Sequence, residues 1–180
     1  MLSKVVSVNS KSSHAFSKDA KSSIVLAEGH GVIGDAHFGV TVKHRSRVAK
    51  DPTQPNLRQI HLLHIELLQE LAATGLEVLP GQLGENVTTT GIPLLELSAG
   101  TRIRLGKSAV IEITGLRNPC SQIEGFKPGL LSAVLAKSAD GTLIRKAGVM
   151  GVVVIGGEVL PGDELVTVFR PFEFSPLRPV

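Results

Sequence analysis

Thr101-Arg102-Ile103-Arg104-Leu105, followed by Gly106-Lys107-Ser108 and then Ala109-Val110-Ile111-Glu112-Ile113-Thr114, is the stretch whose reading decides the fold class. Charged and apolar residues alternate through 102–105, the period-two pattern of a half-buried strand. The glycine-led triplet reads as a hairpin turn into a second strand at 109–114. Outward from this hairpin, further short runs rich in Val, Ile, Leu and Thr occupy 4–9, 23–28, 58–63, 86–90, 151–155 and 164–169. Most are bounded by Gly, Pro, Asn or Asp, and Gly156-Gly157 and Pro161-Gly162-Asp163 punctuate the last two. Only two segments carry a helical period. In 65–73, Ile65, Leu68 and Leu71-Ala72 share a face, and Gly75 is the expected stop. In 128–136, Pro128 stands near a helix start, with Leu131, Val134 and Leu135 on one face.

Eight strands and two short helices predict an all-β protein, a closed or nearly closed β-barrel, because closure removes the exposed edges of such short strands. The 180 residues fit one domain, expected over 1–170, with a tail at 171–180 whose prolines make it an extended strap or a frayed end. Residues 43–56 are polar, contain prolines and lack periodicity, as functional or disordered loops of that length do.

Composition narrows the function. With 42% hydrophobic residues and a mean hydropathy of +0.21, the chain has enough apolar surface to fold. A net charge of +3 argues against bulk electrostatic binding of nucleic acid, and with neither Trp nor Tyr there are few platforms on which bases could stack. The longest apolar stretch, 149–155, is far short of the roughly 18 residues that read as a membrane span. The N-terminus lacks a signal-peptide core, and one cysteine allows no internal disulfide, so a cytoplasmic location is expected.

That cysteine is the first candidate for chemistry. Cys120 follows Arg117-Asn118-Pro119 at the end of a strand, beside a cation that favours thiolate, the form that attacks electrophiles and binds soft metals. The other reading is a small buried hydrophobe. Asp35 and His37, in Gly31-Val32-Ile33-Gly34-Asp35-Ala36-His37-Phe38-Gly39, share a face of an extended cofactor cradle, or else form a capped turn with the two side chains hydrogen-bonded. Lys43, Arg45, Arg47, Lys50 and Arg58 make a basic run opposed only by Asp51, with His44 among them. Such a run is ordinarily a solvated face, but Arg58 opens an apolar strand, where a guanidinium needs an anion or several acceptors. Pro80-Gly81-Gln82-Leu83-Gly84-Glu85-Asn86 presents amides suited to a heterocycle, or is a plain turn. His61 and His64 straddle a strand-to-helix junction with no third ligand, and read better as a core histidine and a helix cap than as a metal pair.

Taken in order, these blocks resemble the MOSC domain, named for the C-terminal domain of molybdenum-cofactor sulfurases. The resemblance runs through Glu28–Gly39, Pro55-Asn56-Leu57-Arg58-Gln59-Ile60, Pro80-Gly81-Gln82-Leu83-Gly84-Glu85-Asn86 with the strand after it, Leu116-Arg117-Asn118-Pro119-Cys120, Ala147–Val152 and Pro161-Gly162-Asp163. It covers most of residues 4–169 and implies a MOSC-like barrel that binds molybdenum cofactor, a pterin with a phosphate. In such proteins the cysteine matching Cys120 is the molybdenum ligand or a sulfur carrier. Some members reduce N-hydroxylated bases and amidoximes with electrons from a redox partner. Others are fused to a pyridoxal-phosphate domain that donates sulfur, for which this chain has no room. The implied assignments are Cys120 and Arg117 as catalytic residues and Cys120 as the metal ligand. Arg47, Arg58 and His37 would hold the phosphate, Asn86 and Gln82 the pterin edge, and Asp35 the cradle. The leading reading is a reductase of N-hydroxylated small molecules. The competing one is a persulfide or cofactor carrier serving a partner protein.

Overall fold

The structure is a computed structural model that describes residues 2–180, apart from the side chains at 45 and 46, so the part of Arg45 in the basic run lies outside it. The first half contains β1 (Lys4–Ser10), β2 (Asp19–Lys21), β3 (Ile24–Ala27), β4 (Gly31–Val32), α1 (Arg45–Val48), β5 (Ile60–His64), α2 (Ile65–Ala73) and β6 (Val87–Thr90). There follow β7 (Arg102–Leu105), β8 (Ala109–Leu116), α3 (Ser121–Phe126), α4 (Leu130–Ala133), β9 (Leu135–Lys137) and β10 (Leu143–Arg145). The chain then forms β11 (Val149–Ile155), β12 (Gly157–Val159) and β13 (Leu165–Phe169). The protein is therefore strand-rich, with short helices.

One sheet carries eight strands in the order β13-β7-β8-β11-β5-β6-β1-β2, flanked by a three-stranded β12-β3-β4 and a two-stranded β10-β9. The β7–β8 hairpin forms as its alternation predicts, pairing Arg102 with Glu112 and Ile103 with Ile111. All neighbours in the large sheet are antiparallel except β5 and β6, which α2 connects as a crossover. The ladder is open: it ends at β13 and β2 instead of closing into a continuous barrel. Its ends do meet. Lys4 bridges Glu164, Val5 N–H donates to the Asp163 carbonyl at 2.8 Å, and Leu165 N–H donates to Ser3 at 2.9 Å.

Helix α2 forms where its period places it, burying Leu67, Leu68 and Leu71. It stops as Gly75 predicts: Gly75 takes φ +82, its N–H bonds the Ala72 carbonyl at 3.0 Å, and Leu76 N–H bonds Leu71 at 2.9 Å. The second expected helix, 128–136, is a single turn, α4, after which Leu135 turns into a strand paired with β10. Val134 is buried as the face predicts, but the pairing of 135–137 with 143–145 overrides the helical period. Two hydrophobic clusters result. The larger lies within the sheets and includes Ile60, Leu62, Ile111, Ile113 and Val153. The smaller joins α2, α3 and α4 through Leu67, Leu71, Ile123 and Leu130. The tail is a strap: Ala99 N–H donates to Ser175, and Leu116 and Arg178 are joined by a 2.8 Å backbone bond.

Candidate functional site

A cavity of about 410 Å³ opens where β8 releases α3, close to the start of β11. Backbone bonding sets its frame. Arg117 N–H donates to Gly148 at 3.0 Å, and Met150 of β11 sits opposite His61 of β5. The end of β8 thus supplies Arg117, the turn into α3 supplies Cys120, and β5 with the residues before it supplies His61, Arg58 and Asn56. From the 37–47 region come His37, His44 and Arg47. The β1–β2 loop adds His14, Phe16 and Lys18. It lies so close that a Cβ on Gly84 would stand 2.6 Å from the Phe16 carbonyl.

The wall is cationic. Lys18, Lys43, Arg47, Arg58 and Arg117 line it, and among the described residues no Asp or Glu does. Arg117 Nη1 and Arg58 Nε are both buried without a hydrogen-bond partner among the described residues. Burial, reinforced by Arg47 and Arg117 and opposed by Cys120, pulls Arg58 down to about 10. Burial also lowers Arg117, against the opposing pull of Cys120 and Glu85. The Arg117 guanidinium lies 5.8 Å from the centre of the Phe16 ring, a cation–π contact. Unpartnered buried donors in a wall whose Lys and Arg side chains face no lining carboxylate among the described residues are suited to an anion that accepts several hydrogen bonds. Cys120 is a free, half-buried thiol whose Sγ lies 3.6 Å from Gln122 Oε1. It is not the fully buried hydrophobe of the plainer reading.

The residues expected as ligand contacts divide into two groups. Cys120, Arg117, Arg58, Arg47, His37 and Asn86 line the cavity. Asp35 and Gln82 do not. Asp35 lies under the wall in a capped turn: its Oδ1 accepts the His37 backbone N–H at 3.0 Å, and Phe38 N–H closes the turn onto the Asp35 carbonyl at 3.0 Å. Its Oδ2 pairs with the buried Lys18 ammonium at 2.7 Å. The Gln82 side chain is used within its own loop, accepting Leu79 N–H at 2.9 Å. Asn86 spends its amide on structure, donating to Asp35 at 3.1 Å and accepting His61 N–H at 3.1 Å.

His61 is the core histidine expected, buried with Nε2 at 2.8 Å from the Ala147 carbonyl, and it also reaches the cavity wall. His64 is the N-cap residue of α2, without a side-chain cap bond. Among the described residues, no three His, Cys, Asp or Glu side chains group so as to hold a metal ion. The basic run is part face, part wall: Arg47 lines the cavity from α1, whereas Lys50 is exposed. His14, Phe16 and Lys18 are the contributors that sequence reasoning missed. Nothing local marks them, since only the placement of β1 beside β6 carries their loop to Arg117.

Comparison with known proteins agrees with this architecture. No curated protein matches the sequence. Among solved structures, the YuaD protein of Bacillus subtilis superposes with a TM-score of 0.71 at 28% identity, covering 92% of this chain and 94% of its own. YiiM of Geobacillus stearothermophilus shares the fold at 19% identity, with a TM-score of 0.68 over 97% of this chain and 79% of its own. The MOSC domain family model matches residues 34–166, which hold Cys120, Arg117, Arg58 and most of the cavity wall. With that match running from the Asp35 turn into β13, the chain belongs to the MOSC domain family.

Proposed function

We propose that this protein binds molybdenum cofactor in the cationic cavity and reduces N-hydroxylated small molecules with electrons from an external donor in the cytoplasm. The observation that carries the reading is the pair of unpartnered buried guanidinium atoms, Arg58 Nε and Arg117 Nη1, beside the Cys120 thiol. The residues suit the group. The cofactor's phosphate is a multidentate anion for Arg58, Arg47 and Lys43. A soft thiolate at Cys120 matches molybdenum, and because no protein cluster of three ligands is present among the described residues, the metal would arrive already held by its pterin. Bound there, the cofactor would supply a metal centre able to take up and pass on two electrons. The chain's own work is to bind and orient. Arg117, in contact with the Phe16 ring, keeps positive charge beside Cys120. Asn86 and Asp35 stiffen the wall rather than touching the pterin, and Gln82 shapes the loop that carries Leu83 and Gly84.

The half-buried free thiol also supports a second reading, in which Cys120 carries a persulfide to or from a partner protein. One experiment separates the two. Protein purified from a host that makes the cofactor is assayed for molybdenum, for a Cys120 persulfide by mass spectrometry, and for reductant-driven turnover of amidoximes. Stoichiometric molybdenum that is lost in a folded Cys120→Ala variant, together with turnover, supports the reductase. A persulfide without molybdenum supports the carrier.

A further inference from the structure

Asp35 and His37 form an arrangement that cofactor binding alone does not use. His37 Nδ1 lies 3.2 Å from Asp35 Oδ1, and the same oxygen accepts the His37 backbone N–H. The other oxygen, Oδ2, is occupied by Lys18 Nζ at 2.7 Å, Asn86 Nδ2 at 3.1 Å and the Lys11 backbone N–H at 3.3 Å. Burial would raise this carboxyl, but the His37 hydrogen bond and the Lys18 ammonium outweigh it and hold Asp35 well below the usual carboxylate range. Asp35 is therefore a fixed anion that meets His37 only as an acceptor. A neutral imidazole has a single N–H, so the carboxylate keeps it on Nδ1 and leaves Nε2 as the basic nitrogen. When the ring carries both protons, Nδ1–H still faces the carboxylate and Nε2–H is the group able to donate. The His37 side chain is 27% exposed and belongs to the cavity wall. The charged and titratable groups around it are Asp35 on the Nδ1 side, with Lys18 beyond, the His14 ring edge-on at 5.3 Å, and His44, which Arg47 and Arg58 back.

From this geometry we infer that His37, positioned by Asp35, is the proton donor to the ligand in the cavity. The inference rests on the reductase reading. Conversion of N–OH to N–H and water takes two electrons and two protons and breaks the N–O bond. Two equivalents of reduced methyl viologen supply the electrons in an assay. The departing oxygen takes one proton from His37 Nε2, and the nitrogen takes the other from water. His37 then stands as the Nδ1–H tautomer and regains its Nε2 proton from solvent. His37 is the catalytic residue and Asp35 the positioning residue.

Two measurements test this. Nitrogen-15 NMR of histidine-labelled protein at a pH where His37 is neutral reads the tautomer directly, with His37 assigned by its loss in His37→Gln. Nδ1–H is expected in the wild type and a mixture in Asp35→Asn, whereas Nε2–H in the wild type overturns the pairing. In molybdenum-loaded protein given benzamidoxime and reduced methyl viologen, His37→Gln should lower turnover per bound molybdenum by about 10²–10³-fold, the scale of a lost general acid. Added imidazole should restore part of the turnover of His37→Ala, which a structural role would not allow. If His37→Gln loses molybdenum while turnover per molybdenum stays constant, His37 is a cofactor contact and the inference is overturned. A loaded wild type without turnover overturns the reductase reading and the donor role with it, while the NMR result still decides the Asp35–His37 pairing. Asp35→Asn strips the buried Lys18 of its counter-charge, so His37→Gln carries the test if that variant does not fold.

Discussion

Two pairs of arginines stand in different regions of this molecule and obey different rules. On β7, Arg102 donates to Glu112 on β8 at 2.8 Å and lies 5.6 Å from the Phe169 ring, while Arg104 faces Glu164 at 3.9 Å and donates to the Gly106 carbonyl. Both are partly exposed, and every cation there has a carboxylate neighbour. At the cavity, Arg58 and Arg117 bury nitrogen atoms that no described residue receives. The first pair belongs to the sheet, where a solvated ion pair is worth about 0–1 kcal/mol. The second is a cost to folding that a bound anion would offset. Partnership, rather than charge alone, separates a structural arginine from a binding one.

The largest expected effect comes from removing the buried charge. Arg58→Met should raise the stability of ligand-free protein by about 1–3 kcal/mol, because it removes a half-buried charge whose Nε has no hydrogen-bond partner among the described residues. The same change should abolish cofactor retention. A urea midpoint that rises while molybdenum content collapses would establish the contrast, and a fall in stability would break it.

Next in size is the comparison between a buried and a solvated cation beside the same cavity. Arg58→Gln should weaken binding of phosphate or of the cofactor roughly 10–100-fold, since hydrogen bonds to charged groups are worth about 1.5–3 kcal/mol. The exposed Lys50→Gln should change it less than about twofold. Equal effects in calorimetric titration would return the whole run to a solvated face.

A third test uses pH. Burial holds His61 well below its ordinary 6.5, and burial also lowers His44 and His64. Folded histidines with depressed values bind protons less readily than the unfolded chain, so stability should fall as pH drops below about 6.5. Glu85, raised above 4.5 by burial, acts in the opposite sense nearer its own range, gaining stability as it protonates. Melting temperatures should therefore decline from neutral pH toward about pH 5, and a flat profile would contradict neutral burial of these rings. A urea midpoint that declines less steeply in His61→Gln would tie the slope to that ring.

The smallest effect belongs to the sheet pair. Arg102→Gln should lower stability by less than about 1 kcal/mol and leave ligand binding untouched. A larger loss would show that its contacts with Glu112 and Phe169 act as a network.

How far the fold could be read from sequence is clear from particular elements. The β7–β8 hairpin and α2 were legible because alternation, period and a glycine stop act over a few residues. Strands of two or three residues, such as β4 and β12, carry too short a pattern to read and exist because a neighbour pairs with them. At 128–136 the local period pointed to a helix, and strand pairing beyond it won.

The site divides along the same line. Sequence by itself determined that Arg117 and Cys120 stand together at a strand end and that the blocks are those of a MOSC domain, and it left Asp35 and His37 open between an extended cradle and a capped turn. Those are neighbours along the chain. Only the tertiary structure decided that Phe16 lies on Arg117, that Lys18 pairs with Asp35, and that Gln82 turns back into its own loop. It also decided that Arg58 and Arg117 meet the ligand space without a carboxylate between them. Such pairings join residues far apart in sequence, and they depend on which strands lie side by side, an order no local pattern encodes.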